Sequence, residues 1–182
     1  MKKTTFTIAL LVAISVLLMS FVKIAKDDKT VKLSDISASL SLFEGVEGQD
    51  FVGNKIIYKV IEKDSYDKLF KESALVYATI VQVNGTIDGI NKGTITTDSD
   101  FAKANIGFAL KDVPDLKDRI TKLQEQLQNL KPKEDFKGLE MKKAPKAAEG
   151  IDLAKKQLAE SSSMLPQIAE NLKAVAEKVI QK

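Results

Sequence analysis

The stretch "DVPDLKDRITKLQEQLQNLK", residues 112–131, decides the fold class, because its apolar residues repeat at helical spacing. Spacings of four and three residues alternate between Leu116, Ile120, Leu123, Leu127 and Leu130. They form one stripe of an α-helix, as at the a and d positions of a coiled coil, with Lys and Glu on the flanks. Asp112 is expected to cap this helix, and Pro114 suits its first turn. An isolated apolar stripe gains nothing in water, so partner helices are expected elsewhere in the chain.

The residues before this stretch supply such partners. Residues 64–93 predict one long helix capped by Asp64 or Ser65, although their Asn-Gly pair would also suit a hairpin. Residues 32–45 predict a shorter amphipathic helix. The segment "KIIYKVIEKD", residues 55–64, is ambiguous; we favour a helix or an extended lead-in, because no partner strand is evident.

The residues on either side of the stretch complete a bundle. Residues 98–112 predict a short helix capped by Asp98 or Ser99. Residues 147–182 keep one apolar phase through Pro166, so we expect a helix kinked near that proline or two helices meeting there. The fold class predicted for residues 26–182 is therefore all-α: an elongated antiparallel bundle of four to five amphipathic helices.

Four polar residues fall on the apolar seams of the predicted helices: Ser73, Asn84, Asn91 and Ser161. A buried polar residue of this kind can fix helix register, as Asn does in coiled coils. Such residues can also line a groove for a ligand or a partner helix. Fixing register is the favoured interpretation.

The first residues, "MKKTTFTIALLVAISVLLMSFVKIAKDD", have the layout of an export signal or anchor, which we assign to residues 1–25. Two lysines precede an uncharged apolar run from Phe6 to Val22. We expect a signal peptide cleaved after Ser20, with an uncleaved inner-membrane anchor as the alternative. A lipid anchor is not expected, because Phe21 stands where a lipoprotein carries its cysteine. Either form predicts an exported bacterial protein of the periplasm, the cell envelope or the medium.

The composition argues against several classes of function. The chain has no His and no Cys, which removes His-based triads, thiolate nucleophiles, disulfides and the common zinc, haem and iron–sulfur ligands. We therefore expect no cofactor and no enzyme. Nucleic acid is a poor partner, because the net charge of +3 includes two lysines of the leader and Arg119 is the only arginine.

Four motifs partly resemble chemical sites, and each has a structural interpretation that we favour. The acidic pairs Asp27–Asp28 and Glu134–Asp135 suit a solvated surface. Asp98 and Asp100 resemble half of a calcium loop but lack its Gly and its final Glu, so a helix cap is favoured. The Gly-rich stretch 45–55 lacks the Gly-Lys-Ser/Thr of a phosphate loop, and Ser161–Ser163 lack a Ser-x-x-Lys partner.

The best candidate for binding is the Lys-rich connection, which we define as residues 131–146, "KPKEDFKGLEMKKAPK". Its six lysines are interleaved with Phe136, Leu139 and Met141, a pattern that can bind an anionic membrane face. Three acidic residues lower the net positive charge of the connection, which is typical of a solvated loop. The candidate surface-binding residues are Lys131, Lys133, Phe136, Lys137, Lys142, Lys143 and Lys146.

The sequence thus predicts an exported helical protein that works by protein–protein binding or as a structural scaffold, without catalysis. Its partner would be another protein, or a second copy bound through the helix seams. The alternative is a carrier of a lipid-like small molecule, or a bundle that binds an anionic membrane surface.

Overall fold

The computed structural model of the protein describes residues 28–31 and 56–180. The predicted helix at 32–45, the Gly-rich stretch and the N-terminal segment at 1–25 lie outside the described residues. The described elements are β1 (Asp28–Thr30), β2 (Ile57–Lys59), α1 (Asp64–Asn91), α2 (Asp100–Gln128), α3 (Pro132–Asp135), a 3-10 helix (Gly138–Lys143) and α4 (Ala144–Ile180).

The prediction of a predominantly helical fold is confirmed, with a small two-stranded sheet added to it. The helices α1, α2 and α4 all contact one another. Helices α1 and α4 run in the same direction, because Phe70 lies beside Gly150 at one end and Asn91 beside Lys178 at the other. Helix α2 returns between these two ends. We call the end at which α1 and α4 begin the Lys-rich end, because the Lys-rich connection crosses it.

The predicted apolar seam of α2 lies in the core. Leu116, Ile120, Leu123 and Leu127 are at most 5% exposed, and Leu130 packs against the same cluster. The seam of α4 is buried in the same way from Ile151 to Val179. These side chains are buried within one chain, so a second copy would need a different surface. No helix among the described residues combines the length and apolar character needed to cross a membrane.

Two prolines lie inside helices, and the boundary predicted at Asp112 is wrong. Helix α2 runs through Pro114 without a break, because its buried stripe keeps its phase on both sides of the proline. The carbonyl of Leu110 loses its donor at Pro114, and both residues lie on the exposed side of the helix. Helix α4 likewise continues past the exposed Pro166, so the alternative of two helices meeting there is not observed.

The helix that we favoured at residues 55–64 is also wrong, because this segment contains β2 and only its end enters α1. Strand β2 pairs antiparallel with β1, with Lys59 opposite Asp28 and Ile57 opposite Thr30. The side chain of Gln157 in α4 donates from Nε2 to the carbonyl of Ile57 at 2.9 Å. The extended alternative is therefore the correct one. Its partner strand was not evident in the sequence, because that strand is only three residues long and lies far upstream.

Helix α1 is buried on two faces. One face joins the core between the long helices, and the other joins Val31 and Ile56 of the sheet region through Ala74, Leu75 and Ala78. This arrangement explains the almost unbroken apolar run in the middle of the helix.

The start of α1 differs from the predicted caps at Asp64 and Ser65. Lys63 occupies the N-cap position, and Glu62 before it has a left-handed backbone with φ of +58°. The carboxylate of Asp67 accepts from the N–H of Ile61 at 2.8 Å and from the N–H of Lys63 at 3.2 Å. It therefore spans and stabilises the turn at Glu62, much as the acidic residue of a capping box bonds back to the N-cap.

The end of α1 excludes the hairpin alternative for its Asn-Gly pair. The N–H of Gly93 donates to Ile90 at 3.1 Å, and the N–H of Thr94 donates to Gly89 at 2.9 Å. With Gly93 at φ of +72°, these bonds form a Schellman motif, which needs a residue without a Cβ penalty. The helical periodicity therefore predicted this region correctly.

Gly150 permits the close approach of α4 to α1. A Cβ at this position would come within 3.0 Å of three ring atoms of Phe70. That ring is 1% exposed and meets Tyr66 edge-on, so it has little room to move.

We expect Gly150→Ala to lower the free energy of unfolding by about 1–2 kcal/mol, because overpacking outweighs the gain in helix propensity. Gly85→Ala in α1 is the matched control, because an added Cβ there meets nothing within 4 Å. It should raise the free energy of unfolding by up to about 1 kcal/mol. Chemical denaturation of both variants measures this, and a Gly150→Ala protein as stable as the parent would contradict it.

Candidate functional site: the Lys-rich connection

The Lys-rich connection is built from α3, an extended pair of residues, the 3-10 helix and the first turn of α4. Phe136 and Lys137 are extended, and Gly138 then turns the chain with φ of +58°. The segment expected to be a loop is therefore folded over most of its length.

Asp135 fastens the first half of the connection to α1. Its Oδ2 accepts from the Tyr66 hydroxyl at 2.5 Å and from the Lys131 N–H at 3.1 Å. Its carbonyl accepts from Lys63 Nζ at 2.7 Å. The bond from Tyr66 lowers the pKa of the Asp135 carboxyl, and the bond from Lys131 lowers it further. Burial, and then the bond to Asp135, raises the pKa of the Tyr66 phenol, so at neutral pH Tyr66 is a donor and not a base.

Phe136 lies in the core and not on the surface, which corrects its place among the candidate surface-binding residues. It is 1% exposed, and its ring centroid lies 5.3 Å from that of Tyr66. Lys63 Nζ lies 4.5 Å from the centre of the Phe136 ring, a cation–π geometry. Phe136 therefore anchors the connection and leaves the other candidates around it.

Lys143 fastens the second half of the connection. Its Nζ lies 3.6 Å from the Glu62 carboxylate and 3.8 Å from that of Glu140. It also donates to the Glu62 carbonyl at 3.5 Å. Lys143 is therefore a structural contact at the turn into α1 as well as a surface charge.

Two large apolar side chains lie exposed between these two sets of contacts. Leu139 is 93% exposed and Met141 is 61% exposed, both on the 3-10 helix. Lys133, Lys137 and Lys142 are exposed around them, and among the described residues no acid lies within ion-pair distance of these three lysines. Lys131 differs, since its Nζ lies 3.3 Å from the Glu134 carboxylate.

A groove of about 670 Å³ lies between α3 and the start of α4. Its lining residues are Lys131, Pro132, Lys133, Glu134, Met141, Ala144, Pro145 and Ala148. The surface of the groove is mostly apolar. Its volume falls in the range of small-molecule sites, about 300–1,000 Å³. Lys146 does not line it, although it belongs to the same connection.

The other motifs have structural roles. Ser99 Oγ accepts from the N–H of Ala102 at 3.2 Å, so Ser99, and not the alternative Asp98, caps α2, and Asp100 lies in its first turn. Ser161 is fully buried and its hydroxyl donates to Gln157 at 2.8 Å within α4. Within residues 28–31 and 56–180, no group of three or more His, Cys, Asp or Glu side chains is placed to hold a metal ion.

The polar seam residues do not act as a set. The hydroxyls of Ser73 and Ser161 bond to carbonyls of their own helices and so impose no register between helices. Asn84 is half-buried, whereas Asn91 is exposed and accepts from Lys178 at 3.3 Å. Only Asn91 bonds across a helix pair, at the end opposite the Lys-rich connection.

Sequence patterns could not reveal the contact between Tyr66 and Asp135, because the two residues lie 69 positions apart. Comparison with protein-family models, curated proteins and solved structures finds no match to this chain. What the Lys-rich end does must therefore follow from its own residues.

Tyr66→Phe should lower the melting temperature by a few degrees near pH 7, because the ring stays buried but the bond to Asp135 is lost. The carboxyl pKa is lowered by folding, so its contribution is present above about pH 4 and is lost as the pH falls through its folded value. The phenol pKa is raised, so its contribution is present below about pH 10 and is lost above that.

The difference in melting temperature between the parent and Tyr66→Phe should therefore be largest between these limits and narrow outside them. Thermal unfolding at a series of pH values measures it. In an Asp135→Asn background the acid-side narrowing should disappear. A difference that stays constant into the acid range would show that the contact between Tyr66 and Asp135 does not stabilise the connection.

Proposed function

We propose that this is an exported helical protein that works as a scaffold by binding a partner, with no catalytic step of its own. The observation that carries the proposal is the exposure of Leu139 and Met141 among lysines, on a segment fastened at both sides. Contiguous exposed apolar patches with polar residues at their rim are a feature of interaction sites.

Binding is favoured over catalysis by the way in which the reactive groups are used. Asp135 accepts hydrogen bonds, Tyr66 donates one, and Ser161 is buried against its own helix. The chain has no His and no Cys to act as a general base or nucleophile near them.

Two classes of partner offer the negative charge that the connection would attract. A protein with an acidic, partly apolar surface would place an apolar side chain in the groove beside Met141. An anionic membrane is the second candidate, supported by the lysines that flank Leu139. The carrier alternative has less support, since the side chains of the described long helices fill the space between them.

Export rests on the apolar run from Phe6 to Val22 and the two lysines before it. Release after Ser20 would free the bundle, whereas a retained segment would tether it. Both forms leave the Lys-rich connection outside the cytoplasm.

Site-specific photo-cross-linking in cells that produce the full chain tests the proposal. A photo-reactive amino acid in place of Leu139 should form adducts with a protein or a lipid, because this side chain is 93% exposed at the proposed surface. The same amino acid in place of Lys173, which is exposed on α4 towards the opposite end, is the matched control. Equal labelling at the two positions, or no adduct at either, would contradict binding at the connection.

A further inference from the structure

We propose that the Lys-rich end docks on an anionic phospholipid bilayer, with Leu139 and Met141 inserted and the surrounding lysines at the headgroup phosphates. This inference rests on the proposed function, because it names the partner of the same surface.

The shape of the connection suits a bilayer. Leu139 is 93% exposed at the crest of the 3-10 helix, so it projects from the bundle and does not line a cavity. Met141, at 61% exposure, lies two residues further along the same short helix. A projecting leucine, with a partly exposed methionine on the same short helix and ammonium groups around them, matches the lipid boundary, where acyl chains lie just below phosphates.

The residue types favour lipid over protein. Protein interfaces are enriched in Trp, Tyr, Phe, Met and Arg and depleted in Lys. The Lys-rich connection contains no Arg, Trp or Tyr, and its one Phe is buried. Its cations are six lysines against three acids. Lys133, Lys137 and Lys142 are exposed, and no acid of the described residues lies within ion-pair distance of them. A lysine close to an anionic membrane adds about fivefold to binding.

The position of β1 puts the start of the described chain at this end of the bundle. Asp28 pairs with Lys59, whose Nζ lies 3.6 Å from Glu149 in the second turn of α4. Only five residues separate Asp28 from Val22, the last residue of the apolar run. Chain geometry limits that distance to about 20 Å. A membrane that held the apolar run would therefore lie close to the Lys-rich end.

The connection is also preorganised for docking. The bond from Tyr66 to Asp135, the buried Phe136 ring and the contacts of Lys143 with Glu62 fix both sides of the 3-10 helix. Binding then orders few additional residues, and the entropy lost on docking is small.

The chain contains no Trp, so Leu139→Trp gives a single fluorescent reporter at the proposed contact. The full chain, purified as cells produce it, is mixed with vesicles of equal parts phosphatidylcholine and phosphatidylglycerol. We expect a blue shift and quenching by lipids brominated on the acyl chains. Vesicles of phosphatidylcholine alone should give neither.

Replacing Lys133, Lys137 and Lys142 together by Gln in the Leu139→Trp protein should abolish the shift, because about fivefold per lysine amounts to roughly 100-fold. Lys173→Trp is the control for nonspecific adsorption and for tethering by the leader, and its spectrum should not change. Met141→Trp provides a second reporter on the same surface.

An equal shift in neutral vesicles, or a shift of the Lys173→Trp control, would overturn docking on anionic lipid at this end. So would the absence of any shift for both reporters. If that absence accompanies protein adducts from position 139 in cells, the partner is a protein and the proposed function stands. If it accompanies no adducts, both proposals fail.

Discussion

The packing of Phe70 against Gly150 is the constraint on which the Lys-rich end depends. It brings α1 and α4 together closely enough for Tyr66, one turn before Phe70, to cover Phe136 and reach Asp135. Without this close approach, the connection would have no buried surface to pack against. Its six lysines in sixteen residues would then leave it solvated. The fixed geometry of the surface therefore originates in the core, at a position that carries no charge and takes no part in binding.

The helical periodicity predicted the long helices well, because burial along a helix repeats every three to four residues regardless of what lies beyond it. The same signal missed the continuity of α2, since Pro114 is normally a sign of a helix start. The hydrogen bond that this proline removes belongs to an exposed residue, Leu110, whereas a break in the helix would have disrupted the packing of the buried Val113 and Leu116. The strand pair was missed for a different reason. The three residues "DKT" have no strand pattern in the sequence, and they form a strand only by pairing with Ile57–Lys59.

Composition locates the candidate site, but it does not tell which of its apolar side chains are exposed. The high lysine content marks residues 131–146, yet among the three interleaved apolar residues only Phe136, and neither Leu139 nor Met141, was predicted to bind at the surface. Their exposure of 1%, 93% and 61% follows from where Gly138 turns the chain, which no local pattern specifies. The partners that hold the segment, Lys63 and Tyr66, belong to the start of α1 and are distant in sequence. The charge of the connection is therefore visible in the sequence, whereas three-dimensional contacts determine which of its apolar side chains is exposed.

The antiparallel pairing of β1 with β2 has a mechanical consequence. Strand β1 enters from the Lys-rich end, and β2 runs back towards that end before the chain turns into α1. A tension applied ahead of Asp28, directed out of that end, would act along the strands. Ladder hydrogen bonds lie across an antiparallel pair, so they would share the load and resist as a shear joint, without opening one after another. The hydrogen bond from Gln157 to the carbonyl of Ile57 would then pass such a load from the sheet to α4.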